Sequence, residues 1–259
     1  MNMRTIQSLL IVLLMLSTGC AGKKKSPDRS QRLPATSTAG QPAGGAPRGS
    51  VRQRIIKTAL QEWEFFGRQA VRLDGNEESI PHVGKWEDDG DPWSSRVNWY
   101  WSAVGKPGLD GFDCKEPWSA AFISWVMRQA GLSSSQFPPA DAHWNYIRYF
   151  IDHAAYSDAA FVSHRINEYA PKPGDLICAT RGNNGFIPIY EMPPGTVLSG
   201  HSKLHCDIVV ERSGKSLASI GGNVRNSVTK TFIKLNSNGL LQPIERRPWF
   251  VVLENKLPP

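Results

Sequence analysis

Apolar residues recur at helical spacing through the first half of the chain and at alternate positions through the second. Over residues 51–73, Ile56, Leu60, Trp63, Phe66 and Ala70 share one stripe with Lys57, Gln61 and Arg68 off it, which predicts an amphipathic helix. A Gly-, Asp- and Pro-rich stretch at 74–95 reads as irregular, and a short aromatic helix is predicted over 96–104. The stretch 117–131, PWSAAFISWVMRQAG, is apolar nearly all round and belongs in a core. Pro117 suits a first helical position, and Gly131 suits the left-handed residue just past a helix end. Beyond a loop at 133–140, Asp141 reads as the N-cap of a helix running through Trp144, Ile147 and Ile151.

After about Ala170 the period changes to two. Strands are predicted within 170–180, 205–211, 216–224, 227–235 and 248–254, with turns at Ser213–Gly214, Val224–Asn226 and Asn238–Gly239. A Gly- and Pro-rich insertion at 181–204 is too long for a hairpin connection and reads as a functional loop over one end of the sheet. Helices first and strands second predict an α+β domain, with N-terminal helices packed on a C-terminal antiparallel sheet.

The N-terminal segment 1–19 has Arg4, an apolar run from Leu9 to Leu16 and small residues before Cys20, the form of a secretion signal. Its ending STGC resembles a bacterial lipobox, which makes Cys20 the lipidated residue of an envelope lipoprotein; ordinary signal cleavage nearby is the alternative. Ala21 after the cysteine resembles lipoproteins sent to the outer membrane, so the expected location is an outer-membrane anchor at Cys20 with the domain facing the periplasm. Residues 20–50 have almost no large apolar side chain and read as a flexible tether to a folded domain at 51–259. Lys23, Lys24, Lys25, Arg29, Arg32 and Arg48 against Asp28 give that tether a net charge of +5, and with Arg4 they leave only +1 of the chain's +7 to the domain. The basic balance therefore gives no support to nucleic-acid binding. Cys114, Cys178 and Cys206 remain beside Cys20, an odd number that predicts one pair and one free thiol in an oxidising compartment.

Ser119 is the candidate reactive residue, because a helix start presents unpaired N–H groups and a positive dipole end to a developing anion. The motifs PWSAAFISWVMRQAG, PKPGDLI, HCDIVV and IGGNV, in that order, resemble the papain-like NlpC and CHAP cell-wall hydrolases over roughly residues 64–253, nearest to a bacterial lipoprotein family of unknown function. The resemblance implies hydrolysis of a peptidoglycan amide bond, without a cofactor, by a helix-start nucleophile, a strand histidine and a third polar residue. FISWV matches the family's FVSYV, so Ser119 falls where the family has its cysteine, His205 on the strand histidine and Asn223 on the orienting polar residue. A serine cannot ionise beforehand as a thiol can, so Ser119 has to lose its proton to His205 as it attacks. Asp207 shares a strand face with His205 and is a possible accessory residue, or a buried carboxylate held by backbone N–H groups.

Cys114, in FDCKEPW, is the rival nucleophile, although it lies five residues before Ser119 and ahead of Pro117. Cys178 and Cys206 fall on strands that the family pairs, and His205 and Cys206 face opposite sides, so a Cys178–Cys206 disulfide fits behind the site. His201, His205 and Asp207, with His164 more distant, lack a familiar zinc spacing, and no metal is expected. Trp118 and Trp144 are candidates for a ligand groove, Trp125 for the core. The competing function is a catalytically inactive module of the same fold that binds peptidoglycan, its stem peptides or a protein; a purely structural lipoprotein is a third.

Overall fold

The computed structural model describes residues 49–156, 158–181 and 203–258. The segment 1–19, Cys20, the tether up to residue 48, His201 and residues 182–202 of the insertion lie outside the described residues. The architecture is mixed α+β. In chain order the elements are α1 (Val51–Phe65), β1 (Ala70–Asp74), β2 (Glu77–His82), α2 (Asp91–Ala103), α3 (Ser119–Gln129), α4 (His143–Asp152), β3 (Phe161–Arg165), β4 (Leu176–Thr180), β5 (Leu204–Ser213), β6 (Ser216–Val224), β7 (Ser227–Lys234) and β8 (Trp249–Asn255). The strands form one eight-stranded sheet in the order β2-β1-β7-β6-β5-β4-β8-β3. No described helix is long and apolar enough to cross a membrane.

The first helix is shorter than its apolar stripe predicts. Ser50 caps its start through a reciprocal capping box with Gln53, but the helix ends at Phe65, where Gly67 and Arg68 take left-handed backbone at φ 72° and 62°. The residues that follow alternate, with Val71 and Leu73 inward and Arg72 and Asp74 exposed, so a period of two replaces the helical one. They join the sheet as β1, parallel to β7 with Val71 beside Thr231. The sheet is therefore mixed, antiparallel everywhere except at β1–β7. Neither β2, whose six residues are nearly all exposed, nor β3 leaves a clear periodic signal.

Alternate sheet residues bury two apolar clusters. On one face Cys178, Cys206, Ile208 and Ile220 pack against the helices through Phe122, Ile123, Val126 and Tyr146. On the other, Ile177, Val209, Leu217 and Val252 are covered by Ile166, Leu235 and Leu241 from interstrand connections. Helix α3 is the centre of the first cluster, and its fully buried Phe122, Ile123, Val126 and Met127 each contribute about 1.5–3 kcal/mol by burial. It begins at Ser119 rather than at Pro117, because Trp118 is the N-cap. Its end is as the sequence predicts: Gly131 has φ 90°, and the N–H groups of Gly131 and Leu132 return to the carbonyls of Arg128 and Met127.

The β5–β6–β7 meander follows its turn signals. Arg225 and Asn226 both take left-handed backbone, at φ 51° and 60°, between the paired Val224 and Ser227, which is the twist a two-residue hairpin requires. Cys178 and Cys206 sit opposite each other across β4 and β5 and form a disulfide. A bridge closing a loop of 28 residues removes about 3–4 kcal/mol of unfolded-chain entropy. No described cysteine is a free thiol. The expectation of one is thus not met, and Cys114, in the loop before α3, has no thiolate to offer.

Candidate functional site

Ser119 is the first residue of α3, and the sheet comes close to that helix start because Gly222 has no side chain. A Cβ there would lie 2.5 Å from Cβ of Phe122 and 2.7 Å from the Trp118 ring. This contact sets Ser119 beside the first residues of β5, where His205 and Asp207 alternate with the disulfide-bonded Cys206. Ser119 Oγ is 2.8 Å from His205 Nδ1, and His205 Nε2 is 2.8 Å from Asp207 Oδ1. Ser219 on β6 donates to the other carboxylate oxygen of Asp207 at 3.2 Å. Gly221 makes room for the pair, since a Cβ at that position would be 1.9 Å from Asp207 Oδ1 and 2.9 Å from His205 Nε2.

Asn223 does not take the orienting position expected of it. The two ring nitrogens of His205 are met by Ser119, Arg181 and Asp207, and Asn223 offers only its backbone carbonyl, to Arg181 Nη2 at 3.3 Å. The physical reason is local. The β6–β7 register shifts between Gly221 and Val224, and Asn223 has left-handed backbone at φ 55°, so its side chain no longer follows the alternation of the strand. Asp207, two residues from His205 on the same strand, is already within reach.

Two further residues complete the site. His143, the first residue of α4, places Nε2 2.9 Å from Ser119 Oγ, and its Nδ1 meets the Tyr146 hydroxyl. Arg181, at the end of β4, places Nη2 2.9 Å from His205 Nδ1. A guanidinium only donates, so Nδ1 of His205 is an acceptor and its ring proton is on Nε2, facing Asp207. The remaining donors then run one way: Tyr146 O–H to His143 Nδ1, His143 Nε2–H to Ser119 Oγ, Ser119 O–H to His205 Nδ1, His205 Nε2–H to Asp207.

The electrostatics agree with that assignment. Burial pushes His205 down to about 4, further lowered by Arg181 and Arg247 although Asp207 pulls the other way. Burial also holds His143 well below its usual value, helped by His205 and Arg181, and lifts the Tyr146 phenol well above its own. Asp207 stays below the usual carboxylate range: burial alone would raise it, and His205, Arg247 and Ser219 outweigh that. At neutral pH the site thus holds two neutral imidazoles, a neutral phenol and one carboxylate.

A cavity of about 400 Å³ opens beside Ser119, lined among others by Ala120, His143, Trp144, Arg181 and Lys203. Trp144 therefore faces the site, whereas Trp118 is fully buried in the core and Trp125 packs against it. Asp175 accepts backbone N–H groups from Lys172 at 2.7 Å and Asn255 at 2.9 Å and belongs to the framework. His164 pairs with Glu254 at 2.8 Å and stacks on Tyr169. No group of three His, Cys, Asp or Glu side chains is arranged for a metal among the described residues.

His143 left a signal in the sequence that the stripe Trp144, Ile147, Ile151 obscured. The buried face of α4 is His143, Tyr146, Ile147 and Phe150, an equally regular spacing shifted by one residue. Asp141, predicted to cap this helix, instead pairs with Lys106 at 2.5 Å, and Ala142 holds the cap position.

The helix start is also tied to a titratable group. The Trp118 indole N–H donates to Glu87, whose carboxyl is raised to about 7 by burial, with Asp88 adding to the rise and Trp118 opposing it. A carboxyl ordinarily ionising near 4.5 binds its proton longer in the folded state, so this contribution to stability is complete below 4.5 and lost as pH rises through about 7. Relative to Glu87→Gln, wild type is expected to lose about 3 kcal/mol between pH 4.5 and pH 8 in urea unfolding. A difference between the two proteins that does not vary with pH would refute this.

No curated protein and no solved structure matches the chain. One family model matches residues 83–255, a span that contains Ser119, His143, Arg181, His205 and Asp207, and the chain therefore belongs to the family described as "Uncharacterized protein conserved in bacteria (DUF2272)".

Proposed function

We propose that this protein is a serine-dependent amide hydrolase of the bacterial envelope, with peptidoglycan as its substrate. The observation that carries the chemistry is the one-way hydrogen-bond chain through Ser119. The choice of substrate rests on the resemblance of the four motifs to papain-like NlpC and CHAP hydrolases, and on the lipobox-like segment that puts an anchor at Cys20 and the domain in the periplasm. In this reading the domain has a papain-like plan, with the nucleophile at the start of a central helix and the base on a strand of the sheet.

The steps follow from the geometry. Ser119 Oγ attacks the amide carbonyl carbon as its proton passes to His205 Nδ1. Asp207 holds the ring and balances the imidazolium that forms. His143 Nε2–H, itself fixed by Tyr146, aims Oγ. The first N–H groups of α3, which have no intrahelical acceptor, receive the oxyanion. The C–N bond then breaks as His205 gives its proton to the leaving amine. Water, deprotonated by His205, cleaves the Ser119 ester and restores the hydroxyl.

Binding without turnover is the second reading, and Arg181 favours it, because it shares the lone pair that Ser119 needs. Purified wild type, Ser119→Ala and Ser119→Cys incubated with peptidoglycan separate the two. Hydrolysis predicts soluble fragments from wild type, seen by mass spectrometry, and at least a 100-fold loss in Ser119→Ala. Fragments from Ser119→Cys alone would establish a binder on a hydrolase plan, and fragments from none would sink the assignment of the site.

A further inference from the structure

The cavity beside Ser119 has an excess of positive charge. Arg181 and Lys203 line it, while the one acidic residue among its described lining residues, Asp141, is paired with Lys106 at 2.5 Å. Arg247 lies near enough to lower both Arg181 and His205, and its buried Nε finds no hydrogen-bond acceptor. Asp207 is turned the other way, held by His205 and Ser219. Arg181 and Arg247 are half-buried and have no ion-paired carboxylate among the described residues, an arrangement that costs free energy and is relieved by an anion.

Arg181 is also misplaced for a site that is ready to react. An imidazole nitrogen has one lone pair, and here Ser119 Oγ at 2.8 Å and Arg181 Nη2 at 2.9 Å both point to it. While the guanidinium donates there, it withdraws the base from the hydroxyl. Arg181 has an open direction to turn, because it lines the cavity.

We propose that this cavity is a subsite for a carboxylate-bearing ligand, and that Arg181, drawn with Lys203 onto the carboxylate, releases His205 Nδ1 to Ser119. The proposal rests on the reading of this site as the one that meets substrate, and narrows that substrate to a peptide with a carboxylate beside the scissile amide. Bidentate pairing suits the planar guanidinium, and Lys203 adds a point charge at the cavity edge. Among the described residues, the groups around His205 are Ser119 from α3, His143 and Tyr146 from α4, Arg181 just past β4, Asp207 on its own strand, Ser219 from β6 and Arg247 ahead of β8. Of the charged groups among these described residues, only Arg181 both contacts the ring and lines the cavity.

The probes are glutarate and its neutral diamide, glutaramide, titrated into the full chain at pH 7 by calorimetry, with the imidazole carbons followed by NMR and His205 assigned by difference from His205→Gln. Glutarate is expected to bind saturably and at least tenfold more tightly than glutaramide. Arg181→Gln should weaken it at least tenfold and Lys203→Gln about threefold, by loss of charge-assisted hydrogen bonds. The His205 midpoint should rise by about one unit with glutarate bound. Equal binding of both probes, no binding of glutarate, or undiminished binding by the variants would overturn the proposal. Lys203 is exposed, so its variant serves even if Arg181→Gln does not fold. Neither readout requires turnover: intact peptidoglycan with glutarate bound refutes hydrolysis alone, and cleavage without glutarate binding refutes the subsite alone.

Discussion

Gly221→Ala is expected to dismantle the site although residue 221 carries no reactive atom. Its new methyl group would be 1.9 Å from Asp207 Oδ1 and 2.9 Å from His205 Nε2, so the buried carboxylate has to leave the imidazole. Parting a buried carboxylate from its imidazole N–H costs about 1–3 kcal/mol, and overpacking the surroundings adds about 1–3 kcal/mol. The reduced freedom of alanine in the unfolded chain returns less than about 1 kcal/mol. Urea unfolding should show the loss directly, and labelling of Ser119 by a fluorophosphonate should fall at least 100-fold under conditions where the variant is folded. Wild-type stability together with wild-type labelling would mean that Asp207 and His205 are not arranged as described.

Asp207→Asn is expected to leave the fold nearly intact and remove the proposed hydrolysis. A carboxylate can only accept, and it therefore keeps the His205 proton on Nε2, leaving Nδ1 bare for Ser119. A carboxamide can present N–H to that nitrogen and stabilise the other tautomer, with the proton on Nδ1 and no base facing the hydroxyl. For a serine, histidine and aspartate triad this change costs about 10⁴ in turnover, and a loss of that order is expected in amide cleavage or in fluorophosphonate labelling. Imidazole ¹⁵N shifts report the tautomer separately from activity. Retained labelling in Asp207→Asn with the proton still on Nε2 would assign Asp207 a framework role. Asn223→Ala is a useful contrast, since Arg181 meets the backbone carbonyl of Asn223 and alanine keeps that carbonyl.

Local physics made much of this arrangement legible in the sequence. Gly131 ends α3 because a residue without Cβ takes φ 90° freely, and the apolar positions of that helix are buried as their spacing predicts. The turns at 213–215 and 225–226 fall at their signals. Ser119 and His205 came from motif resemblance, and the helix start gives a physical reason for the first. Asp207 was visible as a neighbour on the same face, but nothing in the sequence ranked it above Asn223.

What stayed hidden depends on contacts between distant segments. The strand β1 was masked by an apolar stripe that continues through Phe66 and Ala70, and only its parallel partner β7 makes Val71 and Leu73 core residues of a sheet. Asn223 lost its expected role to a register shift in β6, which a single strand does not announce. His143 and Arg181 stand 24 and 62 residues after Ser119, as numbered in the chain, and only packing of α4 and β4 around α3 makes them neighbours.

The sequence by itself determined the helices and the strands after Ala170, the C-terminal end of α3 and the hairpin turns, because each of these follows from the conformational limits of residues close together in the chain, while motif resemblance singled out Ser119 and His205. Tertiary structure alone decided that Asp207 and not Asn223 holds the imidazole, that His143 flanks the hydroxyl and that Arg181 shares the base. Those are matters of 2.8–2.9 Å contacts, all but His205–Asp207 between separate elements, and such distances are set by how glycines at 221 and 222 let strand and helix approach.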